Sequence, residues 1–455
     1  MSNENAMFDD EFDIEFDDTA ESEGGGNDLI GQLTGAPVDA PYKDVEQGVV
    51  VPPMNNFHGG DPAIPAISVL AFHEKNSTRD MMEKVAHDRR MINTTVEIHD
   101  GGIPAAIEHL AHNPTPNLLI VESSAQTPVM IQQIDDLAAN CEEGVQVMVV
   151  GEMNDISLYR QLVARGVSEY LVPPVEPVQM VRSISTLFTD PDAPFVGKSI
   201  SVIGSKGGVG SSTIAHNLAW ALAENAMVNT SLVDLDLSFG TTSLDFNHET
   251  QQTIADALLS PDRTDDAVIS RLLAKATDRL SLFTAPASVN QIMDIDSQSY
   301  SMVIEGVRRL MPFVVLDLPH GWSDWIYNTL VTSDEVILVC QPDLASLRNG
   351  KNMIDQLKSQ RPNDNPPKLI INMAGVPKRP EIPVKDFAAA IEVEPEIILP
   401  FDPQLFGTAS NKGQMISETD PQSKPSQAID HLASLLSGRE TVQTKKSFLK
   451  KLLGK

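Results

Sequence analysis

Short apolar runs alternate with amphipathic stretches along most of the chain. In its first half, the runs that predict strands are Ile67–Phe72, Leu118–Val121, Val145–Val150 and Glu169–Val172. The stretches between them that have helical spacing are Thr78–His87, Ile103–His112, Pro128–Asn140 and Ile156–Arg165. Because strands that alternate with helices favour a parallel sheet, we predict a doubly wound α/β domain over residues 64–189.

The same alternation resumes after a break rich in proline and aspartate, Asp190–Pro194. Such composition is typical of an inter-domain linker. We place this linker at residues 190–197 and expect a second doubly wound parallel-sheet domain at residues 198–438. Its apolar strand candidates include Ser199–Ile203, Ser231–Asp236, Phe313–Asp317 and Leu369–Ile371.

Charge is distributed unevenly over the 455 residues, which contain 63 acidic and 33 basic side chains. The first 60 residues hold thirteen of the 30 net negative charges, so we expect a disordered acidic arm over residues 1–63. The apolar residues among those acids fit either a partner-binding segment or a solubilising tail; they are Phe8, Phe12, Ile14 and Phe16. The overall acidity argues against a nucleic-acid partner.

The opposite end of the chain is basic and amphipathic. Residues 441–455 contain five lysines and no acid. On a helix, four apolar side chains share an arc of about 140°; they are Phe448, Leu449, Leu452 and Leu453. For residues 439–455 we predict a linker and a short helix that lies on a membrane surface. The alternatives are a frayed basic tail and a helix that packs on the protein itself.

A glycine-rich loop follows the strand Ser199–Ile203 and precedes a helical pattern that begins near Ile214. Strand, glycine-rich turn and helix form the context that a phosphate-binding loop requires, because backbone N–H groups and the helix N-terminus face the phosphates. The strands that end at Asp234-Leu235-Asp236 and at Asp317 supply carboxylates. Strand-end carboxylates beside such a loop suit Mg²⁺ and the attacking water.

These motifs together resemble a known family. The run Lys206-Gly207-Gly208-Val209-Gly210 with the later carboxylates resembles the deviant Walker A ATPases related to MinD and ParA. In the runs Pro116–Glu122 and Gly166–Pro174, residues 64–189 resemble a response-regulator receiver domain. The pairing of the two resembles the TadZ/CpaE group of Flp (Tad) pilus assembly proteins. Further matching runs are Gly210–Ala219, Pro400–Pro403 and Phe406–Asn411.

The resemblance implies ATP and Mg²⁺ as cofactors and a role for each matched residue. It implies catalytic roles for Lys206, Asp236 and Asp234. The residues that it implies for nucleotide binding are Lys206, Gly207, Gly208, Val209, Gly210, Ser211, Ser212, Thr213 and Asn372. Its metal-binding residues are Ser212, Asp236 and Asp317. In the family, the lysine matched by Lys206 reaches the partner's phosphates in an ATP-bound dimer, and the asparagine matched by Asn372 contacts adenine.

Two departures from the family patterns change the expected chemistry. Ser211 stands where the loop usually has a second lysine that neutralises charge on the phosphates, so we expect slow or absent hydrolysis. In the receiver-like part, Glu122 replaces the phosphorylated aspartate and Pro173 replaces a lysine. The acidic pair after the first strand is replaced by Ala71-Phe72-His73. We therefore expect a pseudo-receiver that contacts partners without being phosphorylated.

The functional hypothesis is a localisation and scaffold protein for pilus assembly that binds ATP and forms a homodimer. It would contact the pilus secretion machinery and the inner face of the cytoplasmic membrane. The alternative is a partition or positioning ATPase of the ParA/MinD type with genuine turnover, and a third hypothesis is a vestigial nucleotide site. The two cysteines, Cys141 and Cys340, fit a reduced cytoplasmic setting.

Overall fold

The computed structural model describes residues 64–142, 144–189, 196–248, 250, 252–289 and 293–439. The predicted acidic arm and the predicted membrane helix with Phe448 and Leu452 lie outside the described residues. No helix in the part of the chain that the structure describes has the length and apolar character needed to cross a bilayer.

The first sheet has five parallel strands: β1 (Ser68–His73), β2 (Thr95–Asp100), β3 (Leu118–Ser123), β4 (Gln146–Gly151) and β5 (Glu169–Leu171). Their spatial order is β2-β1-β3-β4-β5. Alternate residues of β1 and β3 enter two separate apolar cores. Ala71 and Ile120 pack on one face, whereas Phe72 and Val121 pack on the other. Continuous apolar runs therefore mark these strands, because both faces of the sheet are covered by helices.

Strand β2 is missing from the elements predicted from the sequence. It lies at the edge of the sheet, and each of its six residues, Thr95 to Asp100, is exposed or only partly buried. An edge strand needs no continuous apolar run because only part of its surface enters the core. The helices around this sheet are α1 (Asn76–Ala86), α2 (Gly102–Leu110), α3 (Thr127–Ala138), α4 (Ile156–Val163) and α5 (Pro177–Phe188).

The second sheet has eight strands: β6 (Lys198–Gly204), β7 (Thr230–Asp234), β8 (Ala274–Lys275), β9 (Leu280–Phe283), β10 (Phe313–Asp317), β11 (Glu335–Cys340), β12 (Lys368–Ala374) and β13 (Pro395–Pro400). Their order is β13-β12-β11-β6-β10-β7-β9-β8, and only the pairing of β8 with β9 is antiparallel. The prediction of an α/β protein with parallel sheets is thus confirmed. The strand order places β10 between β6 and β7, so that all three end at one edge.

Helices cover both faces of the second sheet. They are α6 (Ser211–Trp220), α7 (Thr242–Asp245), α8 (Ile254–Leu258), α9 (Asp266–Leu272), α10 (Ser297–Leu310), α11 (Asp324–Thr332), α12 (Leu344–Gln360), α13 (Val384–Ile391), α14 (Pro403–Asn411), α15 (Ile416–Thr419) and α16 (Lys424–Ser437). Helix α6 is held in a core shared with α16. Ile214 and Leu218 of α6 belong to the same buried cluster as Ile429 and Leu432 of α16. Burial fixes the helix that follows the glycine-rich loop.

The two sheets are joined by a charged cluster that we call the clasp, formed by Arg89, Arg90, Arg361, Asn363 and Asp364. The carboxylate of Asp364 accepts hydrogen bonds from Arg89 at 2.7 Å, Arg90 at 3.0 Å and Arg361 at 2.9 Å. The Asn363 amide donates to the carbonyl oxygen of Lys84 at 3.0 Å. The arginines of the first sheet follow α1 and precede β2, while Asp364 follows α12 and precedes β12. Each group therefore lies where parallel strands begin.

Candidate nucleotide-binding site

The glycine-rich loop joins the end of β6 to the start of α6. Gly210 is the residue before the helix and has a φ of 86°, in the left-handed region that favours glycine. A Cβ atom at Gly210 would lie 2.6 Å from Nδ2 of Asn372, so the position has no room for a side chain. The first backbone N–H groups of α6, beginning at Ser211, lack intrahelical acceptors and remain available to an anion.

Side-chain amides from three other elements hold the carbonyl oxygens of this loop. Asn372 on β12 donates to the carbonyl of Val209 at 2.8 Å, and Gln341 donates to that of Gly208 at 3.1 Å. Asn349 on α12 donates to the carbonyl of Ser205 at 3.0 Å. These bonds fix the loop before any ligand arrives, and preorganisation of this kind reduces the ordering cost of binding.

Asn372 lies against the loop rather than on an open surface. Its side chain is 4% exposed, and its Oδ1 accepts a hydrogen bond from the backbone N–H of Met373 at 2.9 Å. The structure thus gives Asn372 a clear role in supporting the loop, and its contact with adenine stays a prediction. Spacing along the sequence could not have revealed the loop-supporting role because Asn372 and Val209 are 163 residues apart.

The strand-end carboxylates meet beside the loop, as the parallel order requires. Asp317 on β10 is paired in register with Asp234 on β7, and both are buried. Oδ1 of Asp317 has no hydrogen-bond partner among the described residues. A buried carboxylate oxygen without a partner is costly, and its position at the carboxyl edge of the sheet is that of a cation ligand.

Asp234 and Asp236 differ in environment although they are two residues apart. Asp236 lies beyond the strand and is partly exposed, and its Oδ1 accepts the backbone N–H of Phe239 at 3.0 Å. Asp234 is fully buried, and its oxygens accept the N–H groups of Asp236 and Thr242, each at 3.2 Å. Burial, with the nearby Asp317 charge, raises the pKa of Asp234 to about 6. Asp234 is therefore placed to support the turn, whereas Asp236 has access to solvent.

A histidine that the sequence did not single out lies among these carboxylates. Nδ1 of His216 is 2.8 Å from Oδ2 of Asp245, and its Nε2 is 3.3 Å from Oδ2 of Asp317. Burial would lower the pKa of His216, but the hydrogen bonds to the two carboxylates outweigh burial and raise it to about 10. On an apolar helix the sequence pattern indicates an ordinary core position, so only the folded structure reveals these contacts.

Lys206 is held in an ion pair within its own chain. Its Nζ lies 2.7 Å from Oδ2 of Asp343, the residue that caps the N-terminus of α12. Burial raises the pKa of Asp343, but the Lys206 ammonium and the cap hydrogen bond from Ser346 outweigh it and leave the pKa lowered. Both side chains are about one-quarter to one-third exposed, at 25% and 31%, so the lysine can exchange partners without crossing a packed core.

The residues at this edge fit a divalent cation. Among the described residues, the potential ligand atoms of His216, Asp234 and Asp317 lie within 4.8 Å of one another. Both nitrogens of His216 face carboxylates, so the candidate ligands in this group are the two aspartates. Oxygen ligands are those that Mg²⁺ prefers, and the unpartnered Oδ1 of Asp317 is one of them. The hydroxyl-bearing residues Ser212 and Thr213 occupy the first turn of α6 beside the same edge.

In the first sheet, the position expected for a phosphoacceptor is filled by an internal network. Glu122 at the end of β3 is 4% exposed. Its carboxylate accepts the backbone N–H groups of Glu74 and Lys75 at 2.7 and 2.9 Å, and the hydroxyl of Thr78 at 2.7 Å. Glu74 in turn accepts two hydrogen bonds from Ser124, at 2.8 and 2.6 Å. The carboxylate of Glu122 is thus committed to the N-terminus of α1.

Comparison with known proteins places this chain among related sequences. The family model described as "AAA domain" (AAA_31) matches residues 197–369, which include the loop and both carboxylate strands. The crystal structure of the pilus assembly protein CpaE from Caulobacter crescentus CB15 shares 41% sequence identity, over 28% of this chain and 98% of that chain, with a TM-score of 0.28. The chain belongs to the CpaE family.

More distant similarity connects this CpaE-family chain with MinD. Septum site-determining protein MinD from Synechocystis sp. is 26% identical over 253 residues, which is 54% of this chain and 91% of that protein. The MinD of Pyrococcus horikoshii OT3, solved in complex with Mg-ADP, is 22% identical over 53% of this chain and 96% of its own, with a TM-score of 0.46. The second sheet of the CpaE-family chain and the helices around it form a MinD/ParA-like P-loop fold.

Proposed function

We propose that this CpaE-family protein binds Mg-ATP at the loop between β6 and α6 and uses the bound nucleotide as a switch. The observation that carries the proposal is the geometry of the loop. Gly210 leaves space that no side chain could share, the loop carbonyls are already held, and the unpartnered Oδ1 of Asp317 lies at the same edge. The family model that matches residues 197–369 includes all of these groups except Asn372, and so supports the proposal.

In this proposal, different residues bind the phosphates, hold Mg²⁺ and orient the attacking water. The N–H groups from Gly207 to Thr213 would bind the phosphate oxygens, with the positive end of α6 behind them. Ser212 and Asp317 would hold Mg²⁺, Asp317 through water, and bound Mg²⁺ would neutralise phosphate charge. Asp236, which is open to solvent, would orient the attacking water. Asp234 would act indirectly, through its hydrogen bond to the N–H of Asp236.

Hydrolysis is proposed to be slow because the loop lacks one cation. Ser211 is short and neutral, and its Oγ would lie 3.1 Å from a Cβ placed at Gly204, so its side chain turns back toward β6. Lys206 remains, but it is paired with Asp343. In an ATP-bound homodimer, Lys206 would exchange Asp343 for the phosphates of the partner. The switch would therefore respond to dimer formation more than to turnover.

The cellular role that we propose is a localisation scaffold for pilus assembly, as the name of the CpaE relative suggests. Its partners would be a second copy of the chain and proteins of the pilus secretion machinery. The segment with Phe448, Leu449, Leu452 and Leu453 would attach the dimer to the inner face of the cytoplasmic membrane. Two weak attachments in one dimer bind much more firmly than one.

Nucleotide binding is tested with the full chain and a fluorescent ATP analogue, measured by anisotropy with Mg²⁺ or with EDTA. Gly210→Ala is expected to abolish Mg²⁺-supported binding because its Cβ would collide with Asn372. The matched control is Gly407→Ala on α14, where a Cβ would have no atom within 4 Å, and it should bind as the unaltered chain does. Equal binding by both variants would contradict the proposed site.

Membrane attachment is tested by sedimentation with anionic phospholipid vesicles, with and without ATP. The intact chain is expected to pellet with the vesicles, and more of it with ATP, because dimers carry two basic segments. A chain that lacks residues 445–455 should stay in the supernatant. If both chains pellet equally, the segment is not the anchor.

A partition or positioning ATPase with genuine turnover is the second candidate, and the solvent access of Asp236 favours it. It would release phosphate steadily, in contrast to the slow switch. Phosphate release in the presence and absence of DNA separates the two candidates, because turnover that DNA stimulates would support partition.

A further inference from the structure

His216 is a buried histidine to which the proposed nucleotide switch assigns no role. It lies on α6, five residues after Ser211, and is 1% exposed. Its ring is near Phe246, with the ring centroids 5.8 Å apart. Burying a polar ring in an apolar helix is costly unless its nitrogens are paired, and here both are paired with groups that belong to the carboxyl edge of the sheet.

Each ring nitrogen of His216 faces a carboxylate oxygen. Nδ1 faces Oδ2 of Asp245 at 2.8 Å, and Nε2 faces Oδ2 of Asp317 at 3.3 Å. The hydroxyl of Thr242 also lies within hydrogen-bond distance of Nε2, at 3.1 Å. The imidazole therefore bridges two carboxylates from different parts of the fold.

The two carboxylates belong to elements that frame the metal position. Asp317 ends β10, and His216 uses its Oδ2, while Oδ1 has no partner among the described residues. Asp245 ends the short helix α7, which follows the turn that carries Asp236. Asp245 also accepts from Thr241 at 3.1 Å and from Ser410 at 3.4 Å. The bridge thus ties β10, α6 and the turn after β7 together.

We propose that His216 is a positioning residue for the divalent cation of the nucleotide site. By binding Oδ2 of Asp317, it fixes the carboxylate with Oδ1 free for the cation and its waters. By binding Asp245, it holds the turn that presents Asp236. Groups that orient a metal ligand affect metal affinity strongly, typically by about 10–100-fold. The inference rests on the proposed Mg-ATP site and deepens it.

The test compares His216→Gln with the intact chain in binding a fluorescent ATP analogue. The affinity is measured in EDTA and across a Mg²⁺ titration. The expected result is a loss of apparent Mg²⁺ affinity of about 10-fold or more, with the EDTA affinity changed by less than about twofold. The metal-free affinity should persist because the hydrogen bonds that hold the loop come from Asn372, Gln341 and Asn349 rather than from His216.

The matched control is His73→Gln, the same substitution at a buried histidine of the first sheet, which is 7% exposed. It should leave both affinities unchanged. An unchanged Mg²⁺ affinity in His216→Gln would overturn the proposal. An equal loss with and without Mg²⁺ would also overturn it, since that pattern belongs to a residue that only stabilises the fold.

Circular dichroism and a thermal melt establish whether His216→Gln is folded. If His216→Gln does not fold, Asp245→Ala replaces it in the test. The side chain of Asp245 is 21% exposed, and its removal breaks the contact between Asp245 and Nδ1 of His216. A selective loss of Mg²⁺ affinity in that variant supports the proposal, and its absence overturns it. If the intact chain itself shows no Mg²⁺-supported binding, the proposed nucleotide site fails first, and the inference fails with it.

Discussion

The clasp between the two sheets makes a quantitative prediction about stability. Asp364 is a single carboxylate, with its side chain 12% exposed, that serves Arg89, Arg90 and Arg361. Asp364→Asn keeps the shape of the side chain and removes its charge. Arg90 would keep its buried pair with Asp88, at 2.7 and 2.8 Å. Arg89 and Arg361 would lose their carboxylate and keep hydrogen bonds to carbonyl oxygens. We expect this variant to lose the junction between the sheets before it loses either sheet.

The magnitude follows from the burial of the cluster. Removing one partner of a buried ion pair costs about 3–5 kcal/mol, because the remaining charge stays desolvated. The substituted amide would still accept one hydrogen bond, and the site is slightly open to water, so the lower end applies, about 3 kcal/mol. For a domain of roughly 200 residues, each kcal/mol corresponds to about 2–4 °C. The first unfolding transition should therefore fall by about 6–12 °C.

Differential scanning calorimetry measures this transition at neutral pH. The matched control is Asp355→Asn on α12, whose ion pair with Lys351 is exposed, with a side chain 52% accessible. Exposed pairs contribute about 0–1 kcal/mol, so the control should melt within about 4 °C of the intact chain. A shift for Asp364→Asn no larger than that of the control would refute the reasoning.

The pH dependence of stability provides a second test with the same Asp364→Asn variant. Burial would raise the pKa of Asp364, but the charges of Arg89, Arg361 and Arg90 outweigh it, and the pKa lies below its ordinary value. The stabilisation is therefore complete above the unfolded pKa of about 3.9 and is lost as the pH falls through the folded pKa. The difference in unfolding temperature between Asp364→Asn and the intact chain should therefore shrink below about pH 4.

Three further predictions concern the two sites. As a monomer, the Lys206→Ala variant should bind nucleotide nearly as the intact chain does, because within one chain the Lys206 ammonium is engaged by Asp343. The variant should fail to dimerise with ATP, and an unchanged dimer fraction in analytical ultracentrifugation would argue against this role. Ser211→Lys should raise phosphate release several-fold if the loop lacks only this cation, whereas unchanged release would mean that another group is missing. Acetyl phosphate should add no phosphoryl group to the chain, because Glu122 is committed to α1; a shifted band on a phosphate-affinity gel would contradict that.

The sequence predicted the buried elements well and the exposed ones poorly. Strands β1, β3 and β4 have continuous apolar runs because helices cover both faces of the sheet. Strand β2 has no such run, since it lies at the edge of the sheet. The linker at Asp190–Pro194 lies outside the described residues.

The candidate site shows a similar division between local and long-range information. The loop and its strand-end carboxylates are local motifs, and the parallel order of β6, β10 and β7 brings them together. The pairing of Lys206 with Asp343 joins residues 137 apart. The contact of His216 with Asp317 likewise depends on the fold. Such contacts arise from tertiary packing, and no periodicity along the chain reports them.

The position of the clasp has a consequence for how the protein could meet its partners. Both sheets are joined at the edge where their strands begin, so the edges where the strands end are left unobstructed by the junction. A homodimer closed across the two nucleotide edges would therefore still display two copies of the edge that carries Glu122. Repeated display raises avidity for any partner that is itself present in several copies. In such a protein, ATP would change the number of attachment points rather than the chemistry of each one.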